Sequence, residues 1–269
     1  MFNILNILYI SKYICSLILI IITATNLRRE RRKIEQEPMN STISVLDKGY
    51  ITHLDTLGSD VSVINSARVS FDKSISSLSR LDFNLLDYLV KNRHDSVLRH
   101  CAMSFEVYAP LFVARQWWKH HVGATSVDDQ NGWNESSRRY VTEEPEFYVP
   151  SQWRSAPEDK KQGSDEPVDV VISAKYNRLL NYFNETSMHA YNSAMQDGIC
   201  TEQARLFLPA YAMYVRWRWT ASLNALLHFI DLRKDSHAQW EMQQYAIAIA
   251  DQVKQAFPAT YNAWEKFRG

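Results

Sequence analysis

Residues 102–121, AMSFEVYAPLFVARQWWKHH, change hydrophobic period at a single residue, and this limits the fold more than any other stretch. Up to Ala109, Met103, Phe105 and Val107 alternate with Ser104 and Glu106, the period of a half-buried strand. Pro110 has no N–H to continue a strand ladder, and its fixed φ suits the first turn of a helix. PLFVARQWWKHH then carries apolar residues at helical spacing, predicting a helix that runs to about His121 and out into a polar loop. A strand feeding directly into a helix requires a sheet and a helical layer packed on it.

The rest of the chain supplies both layers. ISVL and YITHL flank Asp47-Lys48-Gly49 and read as a hairpin between Thr42 and Leu57. Ser59 and Ser79 stand where they can cap helices running to about Arg68 and Val90. SQWRSAPEDKKQGSDEP, residues 151–167, reads as a polar surface loop. Val168 to Met195 is a long amphipathic helix that Gly198 can terminate. TEQARLFL stops before Pro209, TASLNALLHFIDLR has helical spacing, and Ser236 can cap a last helix ending before Pro258. No internal repeat is present. The fold class expected is α+β, a small antiparallel sheet formed early in the chain and packed with long helices, in a single domain.

Residues 1–38 differ in kind: FNILNILYISKYICSLILIIITATN carries one charge, Lys12, and RRERRK follows at once. The cluster lies on the wrong side of the apolar run for a signal peptide. We take Met39 as the natural start, with residues 1–38 as an extension outside the fold; a membrane anchor holding the chain on the cytoplasmic side is the alternative. Thirty basic residues balance thirty acidic ones, so no global field draws the chain to nucleic acid. Cys15, Cys101 and Cys200 are too few and too scattered for a disulfide framework, which suits a reducing, cytoplasmic setting.

Any anion site must then be local. Arg115, Lys119 and His120 share part of a face if the helix continues, and cations also suit a helix C-terminus. NESSRRY, residues 134–140, adds two hydroxyls, two guanidiniums and a carboxylate, an inventory for gripping a phosphate and a polar base edge. Adjacent histidines on a helix point roughly 100° apart, so His120 and His121 do not form a metal pair and no metal site is expected. One tryptophan of Trp117-Trp118 should lie buried under the strand. Glu202 and Arg205 can form an i, i+3 pair, and His237 sits beside the Ser236 cap. With 7 glycines and no GxGxxG, GxxxxGK[ST] or GxSxG, any dinucleotide must be held by side chains.

From Ser44 to Phe267 the chain resembles the flavin-dependent thymidylate synthase family. The resemblance is carried by ARVSF (67–71), His94-Asp95-Ser96, APLFVARQWW (109–118), NESSRRY, FYVP (147–150), QARLFLP (203–209) and LRKDSHAQWEMQQYA (232–246), in the family's order. It implies a catalytic domain of the thymidylate synthase-complementing type over residues 39–269. It also implies methylation of dUMP to dTMP, with 5,10-methylenetetrahydrofolate as carbon donor and NADPH as reductant through FAD. A homotetramer with active sites between subunits is implied as well. Carried over by position, Gln116, Glu135, Ser136, Ser137, Arg138 and Arg139 are expected at dUMP, joined by Arg205 from another subunit. Arg233 is expected to polarise the uracil ring, with Glu202 and His94 supporting methylene transfer. Ser70, Ser96, Lys119, His120, His121, Val122, Ser222, Asn224, His228 and His237 are expected around FAD. Neither Cys101 nor Cys200 has an activating sequence pattern, so a mechanism without a cysteine nucleophile is expected.

The chain departs from the family at Lys119-His120-His121, which replaces Arg-His-Arg, in a longer loop over 122–133, at Arg99, and at Ser222. Lysine and histidine lose the planar contacts of arginine, and His121 would make the local charge pH-dependent. Two alternatives stay open: a nucleotide-binding protein of the same fold that has lost FAD chemistry, and a single-stranded nucleic-acid binder using VRWRW and RQWWKHH as a stacking surface.

Overall fold

The computed structural model describes residues 41–120, 133–135, 144–158 and 163–269, with Ser70 and residues 133–135 described in their backbone only. The early hairpin forms as expected: β1 (Thr42–Val45) and β2 (Gly49–Leu57) pair around a turn at Asp47 and Lys48. Then come α1 (Asp60–Arg68), α2 (Arg80–Lys91) and β3 (Ala102–Pro110). Ser79 Oγ and its backbone N–H both donate to Asp82 at 2.6 and 2.8 Å, fixing the start of α2. β3 runs into α3 (Leu111–Trp117), and β4 (Trp133–Glu135) follows. The second half adds α4 (Val170–Gln196), α5 (Thr201–Ala204), β5 (Tyr214–Ser222), α6 (Leu223–Lys234), α7 (Trp240–Ala256) and α8 (Pro258–Phe267).

The strands order as β1-β2-β3-β5-β4, every neighbouring pair antiparallel. β5 corrects the expectation that the strands all come early. YVRWRWTAS alternates like β3, and the register Phe105↔Trp219 and Val107↔Trp217 puts both tryptophans on the buried face. Trp117 fills the space behind them, its ring 5.4 Å from Trp217, 5.2 Å from Trp219 and 4.6 Å from Phe229 of α6. As expected, one tryptophan of the pair lies under the sheet. The VRWRW tryptophans are core side chains, so the nucleic-acid reading loses its stacking platform.

Three helix limits differ from expectation. α3 ends at Trp117 rather than near His121, and the His120 N–H turns back to the Trp117 carbonyl at 2.8 Å. The last long helix begins at Trp240, not after Ser236: Asp235 accepts from the backbone N–H of His237 and makes a turn that delays the helix. Pro258 opens a further helix, α8, instead of ending the structure. Gly198, at φ +86°, follows α4 as a left-handed terminator. Among the described residues no helix is long and apolar enough to cross a membrane. The segment 1–38 and the boundary at Met39 lie outside them.

Candidate active site

The junctions β3–α3 and α6–α7 place polar side chains along one cavity of about 910 Å³. Gln116 and Lys119 reach it from α3 and its exit, and Arg233, His237, Gln239 and Glu241 from the end of α6 through the start of α7. The segment 148–154 supplies Tyr148, Gln152, Trp153 and Arg154. The loop expected to lie on the surface is therefore a wall of the cavity. Gly163 shows how closely it closes: at φ +95°, a Cβ there would stand 3.2 Å from the His237 carbonyl oxygen. Trp153 is fastened to α4 by its indole N–H, which donates to Asn177 Oδ1 at 2.7 Å. Arg154 donates to Ser164 Oγ at 2.9 Å and lies over the Trp240 ring.

Arg233 is the most exacting of these groups. It is half-buried, its Nη2 donates to the Gln116 carbonyl at 3.4 Å, and its Nε is buried with no hydrogen-bond partner. Burial pulls its pKa down from the ordinary arginine value, a cost that an anionic ligand would reverse. His237 is exposed and held by Asp235, with Nδ1 2.8 Å from Oδ1. A polar chain crosses the cavity wall: the Gln116 amide N–H donates to Gln239, Gln239 Nε2 donates to Glu241 Oε2 at 2.8 Å, and Tyr148 Oη donates to Glu241 Oε1 at 3.3 Å. Burial, and then Glu241, push the Tyr148 pKa far above the ordinary phenol value, so Tyr148 remains a donor.

A second group gathers at the start of α6. Ser222 Oγ accepts from the Ala225 N–H at 3.3 Å and caps the helix, and Asn224 follows it. His120 Nε2 lies 3.2 Å from the Ala225 carbonyl, and its ring is 5.5 Å from that of His228. His228 Nδ1 is buried without a partner. The early end of α3 thus turns His120 toward α6 rather than along a cationic helix face with Arg115.

Four of the expected residues, Gln116, Lys119, Arg233 and His237, share the cavity, and His120, Ser222, Asn224 and His228 cluster at α6. His94 and Ser96 are exposed and do not line the cavity; the His94 ring meets the edge of Tyr88 at 5.6 Å. Glu202 and Arg205 are also exposed and outside it, and Arg205 Nε donates to the backbone carbonyl of Glu202 rather than to its carboxylate. Glu135 stands in β4 opposite Trp217. Ser70 lies in the short helical turn Val69–Phe71, and His121, Val122, Ser136, Ser137, Arg138 and Arg139 lie outside the described residues. Gln239, which LRKDSHAQW places with Arg233 and His237 between two helices, does line the cavity, whereas Tyr148 and Glu241 were not singled out from the sequence, although FYVP and HAQWE contain them.

Of the described cysteines, Cys101 is fully buried at the start of β3, where burial pushes its thiol up to about 11. Cys200 is exposed and free. Neither stands in the cavity.

The sequence and fold have close counterparts. The family model described as thymidylate synthase complementing protein matches residues 53–259. A flavin-dependent thymidylate synthase of Thermosipho africanus is 37% identical over 223 residues, covering 83% of this chain and 93% of that protein. The Thermus thermophilus flavin-dependent thymidylate synthase is 36% identical over 225 residues, 84% of this chain and 78% of that protein. Among solved structures, a UMP/dUMP methylase, PolB, from Streptomyces cacaoi bound with 5-Br dUMP superposes with a TM-score of 0.70 at 26% identity, covering 84% of this chain and 98% of that one.

Proposed function

The chain belongs to the thymidylate synthase complementing protein family, whose similar members are flavin-dependent thymidylate synthases, and from that premise we propose how its cavity methylates dUMP to dTMP. The observation that carries the reading is the convergence of Gln116, Lys119, Arg233 and His237 on one cavity where Arg233 Nε has no partner. A buried guanidinium N–H lacking a partner is destabilising unless a ligand supplies an acceptor. Uracil carbonyl oxygens are such acceptors, and they carry negative charge in the polarised, enolate-like form of the ring that makes C5 nucleophilic. Arg233 then holds that charge as it develops. Buried Cys101 and exposed Cys200 both lie outside the cavity, in keeping with a reaction that adds no cysteine to the ring.

The residues at α6 fit a flavin. His228 Nδ1 is a buried polar atom with no partner, and Asn224, Ser222 and His120 offer polar groups beside it. Lys119 and His237 add donors from the cavity side. When bound, FAD supplies the hydride that completes the methyl group, renewed by NADPH, while 5,10-methylenetetrahydrofolate supplies the carbon. His121, Val122, Ser70 and Ser96 are assigned to the same cofactor by sequence, as Glu135, Ser136, Ser137, Arg138 and Arg139 are to dUMP.

Glu202, Arg205 and His94 are assigned to a site completed by a neighbouring subunit of a homotetramer. Support comes from their exposure away from the cavity, and from α4, which leaves Val170, Val171, Ile172, Tyr176, Leu179, Tyr182 and Phe183 exposed. An apolar surface of that kind marks an association face. The catalytic domain is assigned to residues 39–269 and its setting to the cytoplasm.

The test is the visible spectrum of protein made from Met39, recorded anaerobically with NADPH, with and without dUMP. A flavin band that bleaches at a dUMP-dependent rate is expected. Protein that cannot be loaded with FAD, yet still binds dUMP, would leave only a nucleotide-binding role.

A further inference from the structure

The chain of hydrogen bonds from Tyr148 through Glu241 and Gln239 to Gln116 has a direction, and the direction is set at one end. A carboxylate accepts hydrogen bonds and donates none, so the Gln239 side chain must turn its NH₂ toward Glu241 Oε2, at 2.8 Å. Its carbonyl oxygen then faces Gln116, and Gln116 must answer with its own NH₂. Tyr148, donating to the other Glu241 oxygen at 3.3 Å, leaves that carboxylate committed on both sides. Gln116 Oε1 makes no hydrogen bond among the described residues, while the side chain lines the cavity and its backbone carbonyl accepts from Arg233 Nη2. What remains for a ligand beside Arg233 is therefore an acceptor.

We propose that Glu241 is a positioning residue that fixes the polarity of Gln116, so that the cavity presents a carbonyl acceptor and selects a pyrimidine carrying an imide N–H over one carrying a bare ring nitrogen. Uracil has that N–H between two carbonyls; cytosine has an acceptor in its place. Without Glu241 the Gln239 amide can turn over and Gln116 with it, and the cavity accommodates either base. The inference rests on the reading of this cavity as the nucleotide site.

The experiment is calorimetric titration of the full chain with dUMP and with dCMP, alongside thermal melting. The wild type is expected to prefer dUMP, and Glu241→Gln, whose new amide can donate or accept, to narrow that preference by about tenfold, the size of one mismatched hydrogen bond. The informative variant is the exchange Gln239→Glu with Glu241→Gln. The carboxylate now at 239 accepts from Gln116 and from the amide at 241, so the polarity of Gln116 is restored and so should be the preference. A merely structural role for Glu241 predicts no such rescue. An unchanged preference in Glu241→Gln overturns the proposal, as does a lost preference that the exchange fails to restore at unaltered melting temperature. If Glu241→Gln folds poorly, Gln239→Met breaks the chain at its middle and must narrow the preference likewise. A wild type that binds neither nucleotide would instead overturn the nucleotide reading on which the proposal stands.

Discussion

Asp60 and Arg233 are charged side chains set into the same unit, and the fold treats them in opposite ways. Asp60 is buried, and its two oxygens accept from the Ala259 N–H at 2.9 Å, the Thr260 N–H at 2.8 Å and Thr260 Oγ1 at 2.6 Å. It fastens the start of α1 to the start of α8, and its bonding is complete. Arg233 has a weak bond to the Gln116 carbonyl and a buried Nε with nothing to receive it. Among the described residues the other basic side chain with an unpartnered buried nitrogen is His228, just over one turn back on α6. Indole N–H groups of Trp117, Trp217 and Trp264 are unpartnered too, but these are neutral donors in a packed core and cost far less. A satisfied buried charge is a staple; an unsatisfied one at a cavity wall is held ready for a ligand.

That distinction breaks most sharply under substitution. Arg233→Ala should lower turnover by a hundred- to a thousandfold, the usual cost of removing a donor to developing negative charge. Its melting temperature should change little, because Arg233 gives the folded chain almost no bonding. Steady-state rates and a melting curve on one preparation decide this, and a variant with wild-type rates would remove Arg233 from the chemistry. Asp60→Ala should do the reverse: about 3 kcal/mol of stability lost through the stranded N–H groups at α8, with kcat of the surviving folded protein intact. Denaturant unfolding measures the first and assay of the native fraction the second.

How far the sequence discloses these elements follows from the range of the forces involved. Short-range signals are legible: the alternation through Met103, Phe105 and Val107, the turn at Asp47, the Ser79 start of α2 and the Gly198 end of α4 all stand where the residues imply. β5 is hidden because its outward face is Arg216 and Arg218, so Trp-Arg alternation looks like a cationic aromatic surface until β3 covers the tryptophans. α3 ends early because His120 gains a tertiary partner in α6, which local periodicity cannot reveal. At the site, the residues converging on the cavity from α3 and α6 are legible through family resemblance. The wall from Tyr148 to Arg154 and the Gln239–Glu241 link are not, since a polar loop and an amide beside a carboxylate carry no signal until they meet.

The comparison sharpens at its second unpartnered nitrogen, His228 Nδ1. If His228 Nδ1 is reserved for the cofactor, His228→Phe keeps an aromatic ring against His120 and removes that nitrogen together with Nε2. FAD retention through gel filtration should then fall by about tenfold, one hydrogen bond's worth, with melting of the flavin-free protein unchanged or slightly higher. Equal retention would class that nitrogen with the indoles as a tolerated orphan.

Cys101 supplies the smallest effect and a control of opposite logic, a titratable group kept neutral chiefly by burial, with the Asp60 charge acting the same way. Cys101→Ala should leave kcat unchanged, because the thiol lies behind β3 and outside the cavity. Stability should nonetheless carry its mark in alkali. Burial raises the thiol from about 9.0 to about 11 in the folded protein, so the folded state holds its proton more tightly than the unfolded chain does. The unfolded chain releases that proton first, and stability falls as pH rises across that window, with nothing lost below it. Several buried tyrosines titrate in the same direction, so the wild-type curve alone does not isolate the thiol. The difference between wild type and Cys101→Ala does: flat up to about pH 9, then narrowing in the variant's favour toward pH 11. A difference constant across the window would mean that the thiol reaches solvent, and the case against a cysteine nucleophile would then rest on its distance from Arg233 rather than on its protonation.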